Sequence, residues 1–508
     1  MQNKISIRPG TPYDENIEYL PQKIKESDIV VNENGNNSQP YPRALCEFHE
    51  DITGNGVVNE WYEYVPDSYD PKNKAPVVFS MHGGLMNGWG QAVYSSWTQV
   101  ADREGFICVF PTASENNAWK VEMTDEGRRN IERLAEIHPE FNFGKSLPAD
   151  RIIDDNPDVH FIMALLKRMQ QKYNIDAERV YMQGMSMGNA MTGLIARNFG
   201  EVLAAAAGSG GPSDIEIIYD KTGKVKNRSG SLYVWQTRPE LNGMPNDVGM
   251  SEFEYNRRNL EYWLTVNKCS SIPEIRIIGE NNLSFYKGKE ADVVYLDIKN
   301  RDHGQAFDEA ELIWDYLFSG VRRNKSGDLV RIKSVESRSG DDFAIAFAEG
   351  CKYAWFHNKP AIMKAIPIYW KKHKYHGLYG DHILRGEYLC VPLSFLAEVF
   401  NANYISEEEG RLIKLTLTDG RELQFAEGCI GCIVNNKVES MLCEALYREG
   451  ELLVPVIWFC RAIFQMHVSE CNRVVYATDH YSILSSDTAL TIKGILKSEE
   501  NVDPFSFK

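Results

Sequence analysis

A chain of 508 residues exceeds one ordinary domain, so two or more are expected. Its 43% hydrophobic and 25% charged residues suit a folded globular protein, and its formal charge of −16 weighs against nucleic acid or an anionic membrane as the main partner. No run nears the roughly 18 apolar residues of a membrane span. The opening residues lack the apolar centre of a secretory signal. The expectation is therefore a cytoplasmic protein, or a secreted or surface one if a signal has been removed.

Residues 1–50 read as an N-terminal extension packing on the domain that follows, which spans 51–325. From Trp61 the text "WYEYVPDSYDPKNKAPVVFSMHGG" gives two strands joined by a polar turn. "GQAVYSSWTQVADREG" has helical character, and the strand "FICVFP" follows. A polar insert runs to about Asp150. "DDNPDVHFIMALLKRMQQKYNI" has helical apolar spacing with Asp158 placed as its N-terminal cap. "RVYMQG" is a strand, "NAMTGLIARNFG" a helix, and "VLAAAAGSGG" a strand. Strands alternating with helices predict a mainly parallel sheet with helices on both faces.

Within this alternation "GMSMG" places Ser186 between Gly184 and Gly188, in the pattern G-x-S-x-G. A nucleophile needs such a strand-to-helix turn: the glycines relieve crowding, and the helix N-terminus faces the developing oxyanion. The Met187 N–H is one candidate donor. The second is expected from "VVFSMHGGLMNG", at Leu85 or Gly84, because glycines let backbone approach a ligand. His82 in that loop reads as structural, bonded to backbone. The base follows by elimination: between Ser186 and the change of character near residue 319, the one histidine is His303, in a polar loop after the strand "DVVYLDI". The acid should follow a strand between the two. After "SLYVWQT" the candidates are Glu240, nearer the strand end, and Asp247, with Asp214 a third. Trp97 and Trp119 are candidates for lining a substrate pocket, or equally for the core.

From Ser319 to Asp342 polar, Gly and Ser content rises, as in a linker. A smaller α+β domain is expected over 335–495, with an internal repeat. "LCVPLSFLAEVFNANY" and "LLVPVIWFCRAIFQMHV" each carry a proline, Pro392 or Pro455, at a helix start. His373, His376 and His382 are irregularly spaced among lysines and read as a surface loop. Cys429 and Cys432 form a C-x-x-C without the second pair that a zinc site needs, so they read as thiols. No metal and no cofactor is expected.

"YVPDSYDPKNKAPVVFSMHGG", "NIDAERVYMQGMSMGNAMTGLIARNFGEVLAAAAGSGG" and "DHGQAF" resemble the α/β-hydrolase superfamily, and within it the polyhydroxybutyrate depolymerase and feruloyl esterase group, carbohydrate esterase family 1. The likeness covers about residues 50 to 320. It implies a Ser–His–acid triad, no metal, and ester substrates such as short polyesters, aryl esters or acetylated sugars. The segment "WQTRPELNG" departs from the group's HG-x-x-D pattern, and one register puts Asn242 at the acid position. "VPLSFLAEVFNANY" resembles the domain named after the N-terminal part of copper amine oxidases, found in secreted and surface proteins of Gram-positive bacteria. Such a module is expected to bind a polymer, a cell surface or a second copy of itself. The competing readings are a binding or scaffold protein that kept the hydrolase fold without its chemistry, and a serine peptidase using the same residues.

Overall fold

The computed structural model describes residues 45–139, 153–242, 249–332, 341–376 and 381–498. The chain divides into two compact units, Met1–Pro273 with Phe285–Ser337, and Glu274–Ser284 with Arg338–Lys508.

The first unit is built on a sheet whose strands are β1 (Leu45–Glu50), β2 (Asn59–Tyr64), β3 (Ala75–Met81), β4 (Ile107–Pro111), β5 (Ile175–Met185), β6 (Ala205–Ser209) and β7 (Tyr233–Leu241). β8 (Glu274–Ile278) and β9 (Asn281–Tyr286) lie mostly in the second unit, and β10 (Val293–Asp302) returns to the first. Across the first unit the order is β1-β2-β4-β3-β5-β6-β7-β10. From β4 to β10 every neighbouring pair is parallel, whereas β2 runs antiparallel to both β1 and β4. The connecting helices include α1 (Gly88–Tyr94), α2 (Trp97–Glu104), α3 (Asp125–Ile137), α4 (Pro157–Lys172), α5 (Met187–Asn198), α6 (Glu252–Val266) and α7 (Glu309–Tyr316). This is the α/β-hydrolase fold, and its central strands are buried apolar runs such as "APVVFSM" and "ICVFP" because helices cover both faces.

Two details of the helices differ from the sequence reading, and residues 45–50 form a strand at the sheet edge. The stretch after Gly90 breaks into two helices at Ser95, whose N–H closes α1 on the Gln91 carbonyl. The expected N-terminal extension contributes edge strand β1, residues 1–44 lying outside the described part. The cap of α4 is Asn156, which accepts from the N–H groups of Asp158 and Val159. Asp158 instead turns its carboxylate onto the N–H groups of Ser114 and Lys120, at 3.3 and 2.8 Å, and so ties the loop after β4 to the start of the helix.

The second unit is rich in strands. Ala344–Ala348 pairs with Tyr353–Phe356 on one side and Val474–Thr478 on the other, and the final helix Ser486–Ser498 buries Ala489, Ile492 and Ile495 with Ala346, Trp355 and Tyr476. Ile275 and Ile277 belong to that same core, which explains why Glu274–Ser284 groups with this unit although it lies inside residues 51–325. The two repeated segments meet directly. Asp381–Pro392 pairs antiparallel with Glu451–Pro455 through Cys390 to Pro455 and Pro392 to Leu453. Pro392 and Pro455 each precede a helix, and Leu393, Phe395 and Leu396 share a core with Val456, Trp458 and Phe459. Neither segment buries that face by itself. Among the described residues no helix is long and apolar enough to cross a membrane.

Candidate active site

The register of the sheet brings the carboxyl ends of its middle strands level: Gly184 lies opposite Met81 on one side and Gly208 on the other, and Ser209 lies opposite Thr237. Open α/β sheets place ligands outside these ends. Here β5 turns sharply into α5 at Ser186, which has φ 53° and ψ −117°. A non-glycine residue with positive φ in a tight turn costs about 1–3 kcal/mol and is retained where the surroundings enforce it. Those surroundings are visible. A Cβ on Gly184 would sit 2.0 Å from the Gly188 carbonyl oxygen, and one on Gly188 would sit 2.3 Å from that of Met81 and 2.5 Å from that of His82. Both glycines are therefore required by backbone approach. Gly188→Ala is expected to lower stability by about 3 kcal/mol, in the range of overpacked cores, read as a shift in the urea midpoint. An unchanged midpoint would mean that the turn is looser than described.

Serine at a helix N-cap ordinarily accepts from an N–H of the first turn. Ser186 makes no such bond. Its hydroxyl instead donates to His303 Nε2 at 2.9 Å. Nδ1–H of the same ring donates to Asn242 Oδ1 at 2.7 Å. The three residues thus form one chain, Ser186–His303–Asn242, in which Nδ1 carries the proton and the Nε2 lone pair faces the hydroxyl. Burial pushes the imidazole below its ordinary value, and the Asp302 carboxylate pulls it partly back up. The arrangement can draw a proton from Ser186 and hold it for a leaving group.

Asn242, not Glu240, faces the ring. β7 extends to Leu241, beyond the end expected at Thr237, and β10 carries an irregularity between Ile298 and Asp302. That irregularity turns Lys299 and the Asn300 N–H towards Glu240, whose two carboxylate oxygens accept from them at 2.9 and 3.1 Å. Glu240 as the orienting acid is thus corrected: an ammonium holds it. Asp214 accepts from the Tyr255 hydroxyl at 3.0 Å. Asp247 lies outside the described residues. The signal that could have selected Asn242 was the alternative register noted in "WQTRPELNG".

The glycine loop after β3 does come alongside: a Cβ on Gly83 would lie 3.6 Å from Ser186 Cβ. Within it, the Leu85 N–H donates to the Asn117 carbonyl at 2.9 Å, with Leu85 itself at φ 64°. Its amide is committed to that loop contact, which removes it as an oxyanion donor. Gly84 and Met187 stay as the candidate amides, the latter in the first turn of α5, where N–H groups have no helical partner. His82 is buried, donates from Nδ1 to the Gly83 carbonyl at 2.6 Å and accepts the Ala113 N–H on Nε2 at 2.9 Å. It pins the loop through backbone.

Trp97 and Trp119 are core residues and not pocket walls. Each is essentially unexposed; Trp97 donates from its indole to Gln183 Oε1 at 3.0 Å and stacks on Phe318, and Trp119 donates to the His82 carbonyl at 2.9 Å. Among the described residues, Glu47, His49 and Glu60 form a group whose spacing suits a cation, on β1 and β2; Glu47 and His49 are exposed and bond to each other. His373 is exposed on a strand, and the side chains of His376 and His382 lie outside the described residues. Cys429 is exposed and Cys432 buried, both as free thiols.

No protein-family model matches the chain. It is 29% identical over 174 residues to a feruloyl esterase B of Neurospora crassa, covering 33% of this chain and 50% of that protein. It is 24% identical over 159 residues to a bifunctional acetylxylan esterase/xylanase of Neocallimastix patriciarum, covering 31% and 19%. The chain thus spans about half the length, or less, of the curated relatives it matches. Among solved structures, an acetyl xylan esterase from Aspergillus awamori superimposes with a TM-score of 0.39 at 16% identity, covering 53% of this chain and 97% of that one.

Proposed function

We propose that the protein is a serine carboxylic-ester hydrolase. The observation that carries this reading is the hydrogen-bonded chain from a strained Ser186 through His303 to Asn242. In the proposed reaction His303 Nε2 removes the Ser186 proton as Oγ attacks the ester carbonyl. The N–H groups of Met187 and Gly84 receive the oxyanion, and the same imidazole returns the proton to the departing alcohol. Water, activated by the same nitrogen, then releases the acid from Ser186. The similarity to feruloyl and acetylxylan esterases favours aryl or acetyl esters as substrates, and the group resembled in sequence adds short polyesters. The C-terminal unit, with its likeness to the copper amine oxidase N-terminal module, would hold the enzyme to a polymer, a surface or a second copy.

A neutral amide where a carboxylate is usual favours one rival reading, a binding protein that has lost its chemistry. Fluorophosphonate labelling separates the two. Ser186 is expected to be phosphonylated in the folded protein, located by peptide mass, and an unlabelled serine would leave the binding reading standing. A serine peptidase predicts turnover of peptide substrates in addition to activated esters, whereas an esterase leaves the peptides uncut.

The pH profile follows from the buried ring. Only neutral His303 can act as base, and burial makes protonation harder, so loss of activity requires a lower pH than for a free imidazole. The acidic limb of kcat/KM is expected below the ordinary histidine value of about 6.5. A limb above it would contradict desolvation as the dominant influence.

A further inference from the structure

Beneath the Ser186–His303 pair the protein buries a carboxylate that the reaction above does not use. Glu309 opens α7 and is 2% exposed. Its Oε1 accepts from the hydroxyls of Ser209 and Thr237, at 2.5 Å each, and its Oε2 accepts the Ala306 N–H at 3.2 Å. Burial pushes the carboxyl up to about 7 while these three donors pull it down. Burying an acid is costly, and a hydrophobic side chain of similar volume often serves stability as well.

What distinguishes this acid is where its three donors lie. Ser209 ends β6, and its carbonyl receives the Ser186 N–H at 2.8 Å. The two glycines that follow it line the site: a Cβ on Gly210 would lie 3.5 Å from His303 Cε1, and one on Gly211 would lie 3.5 Å from Ser186 Cα. Thr237 lies on β7 ahead of Asn242, and its carbonyl receives the Gly210 N–H at 3.1 Å. Ala306 belongs to the loop that carries His303. A second link runs parallel, Gln183 donating to Gln305 in that loop at 3.0 Å and to the Ser209 hydroxyl at 3.3 Å. A carboxyl group presents two acceptor oxygens, so it can gather three donors from three segments; an amide replaces one of those oxygens by an NH2 group and cannot satisfy the same set.

We infer that Glu309 is a positioning residue: its carboxylate clamps the His303 loop to the ends of β6 and β7 and thereby holds the imidazole between Ser186 and Asn242. This rests on the ester-hydrolase reading. The test is Glu309→Gln in the full chain, assayed on p-nitrophenyl butyrate with Ser186→Ala beside it. A misplaced base slows chemistry without weakening substrate binding, so kcat is expected to fall about tenfold or more with KM unchanged. The rate of Ser186 phosphonylation should fall by a similar factor. A folded Glu309→Gln with wild-type kcat overturns the inference. So does a variant that loses thermal stability while its titrated active sites turn over normally, since that is a purely structural role. If Glu309→Gln does not fold, Ser209→Ala and Thr237→Val each withdraw one donor and are expected to lower kcat with KM unchanged; wild-type kcat in both overturns the clamp. Equal turnover by wild type and Ser186→Ala overturns the ester-hydrolase reading together with this one, whereas an active wild type and an inert Ser186→Ala beside an unimpaired Glu309→Gln overturn this one alone.

Discussion

Ser186→Ala is expected to reduce turnover of p-nitrophenyl acetate or butyrate by about ten-thousand-fold or more, and His303→Ala by a similar factor. The expectation comes from how the two groups share one proton. With Ser186 Oγ donating to His303 Nε2 at 2.9 Å, neither acts without the other. The double variant should accordingly be no slower than either single one, because residues acting as a unit are strongly non-additive. Residual activity above the uncatalysed rate would then reflect the Met187 and Gly84 amides and substrate binding alone. Multiplicative losses in the double variant would show the two side chains working independently. Wild-type turnover by Ser186→Ala would end the assignment.

The sequence made the strand-to-helix turn at Ser186 legible because its requirements are local. Gly184 and Gly188 are demanded by contacts within a few residues of Ser186 and with the neighbouring strand end, and a short motif records them. The parallel sheet was legible for a similar reason, since strands buried on both faces must be apolar throughout. His303 could be reached by chain order alone. The partner of its Nδ1 could not. Whether Glu240 or Asn242 meets the ring depends on how far β7 extends and where β10 is irregular, and on Lys299, which lies about sixty positions away in sequence and captures the Glu240 carboxylate. Chemistry favoured the acid; a long-range ion pair decided otherwise. Trp97 and Trp119 illustrate a second limit. A buried indole with a satisfied N–H and an indole lining a pocket look alike in sequence, and only Gln183 and the His82 carbonyl separate them. The fate of the Leu85 amide likewise depended on the Asn117 carbonyl, a contact between two loops with left-handed residues that no local pattern announces.

Asn242→Asp is expected to raise kcat/KM by about tenfold and to move the acidic limb of the profile upward. Asn242 Oδ1 already performs the orienting half of the acid's task, since it accepts Nδ1–H at 2.7 Å and leaves Nε2 bare towards Ser186. It lacks the charge that stabilises the imidazolium formed as the serine proton arrives. A hydrogen bond to a charged partner exceeds a neutral one by about 1–1.5 kcal/mol, which converts to roughly tenfold in rate if it is expressed only once the ring is charged. The same charge opposes the desolvation that now lowers the His303 value, so the ring protonates at a higher pH and the variant loses activity earlier on acidification. The gain should therefore be largest at neutral to alkaline pH and shrink below it. Asn242→Ala supplies the opposite case: with neither acceptor nor charge the ring is free to rotate and to take the other tautomer, and kcat should fall by about ten- to a hundredfold. Full pH–rate profiles of the two variants on one small ester check both directions. A limb that stays in place in Asn242→Asp would mean that residue 242 is not electrostatically coupled to His303. An unaltered rate in Asn242→Ala would mean that the imidazole is held by its loop and not by this side chain.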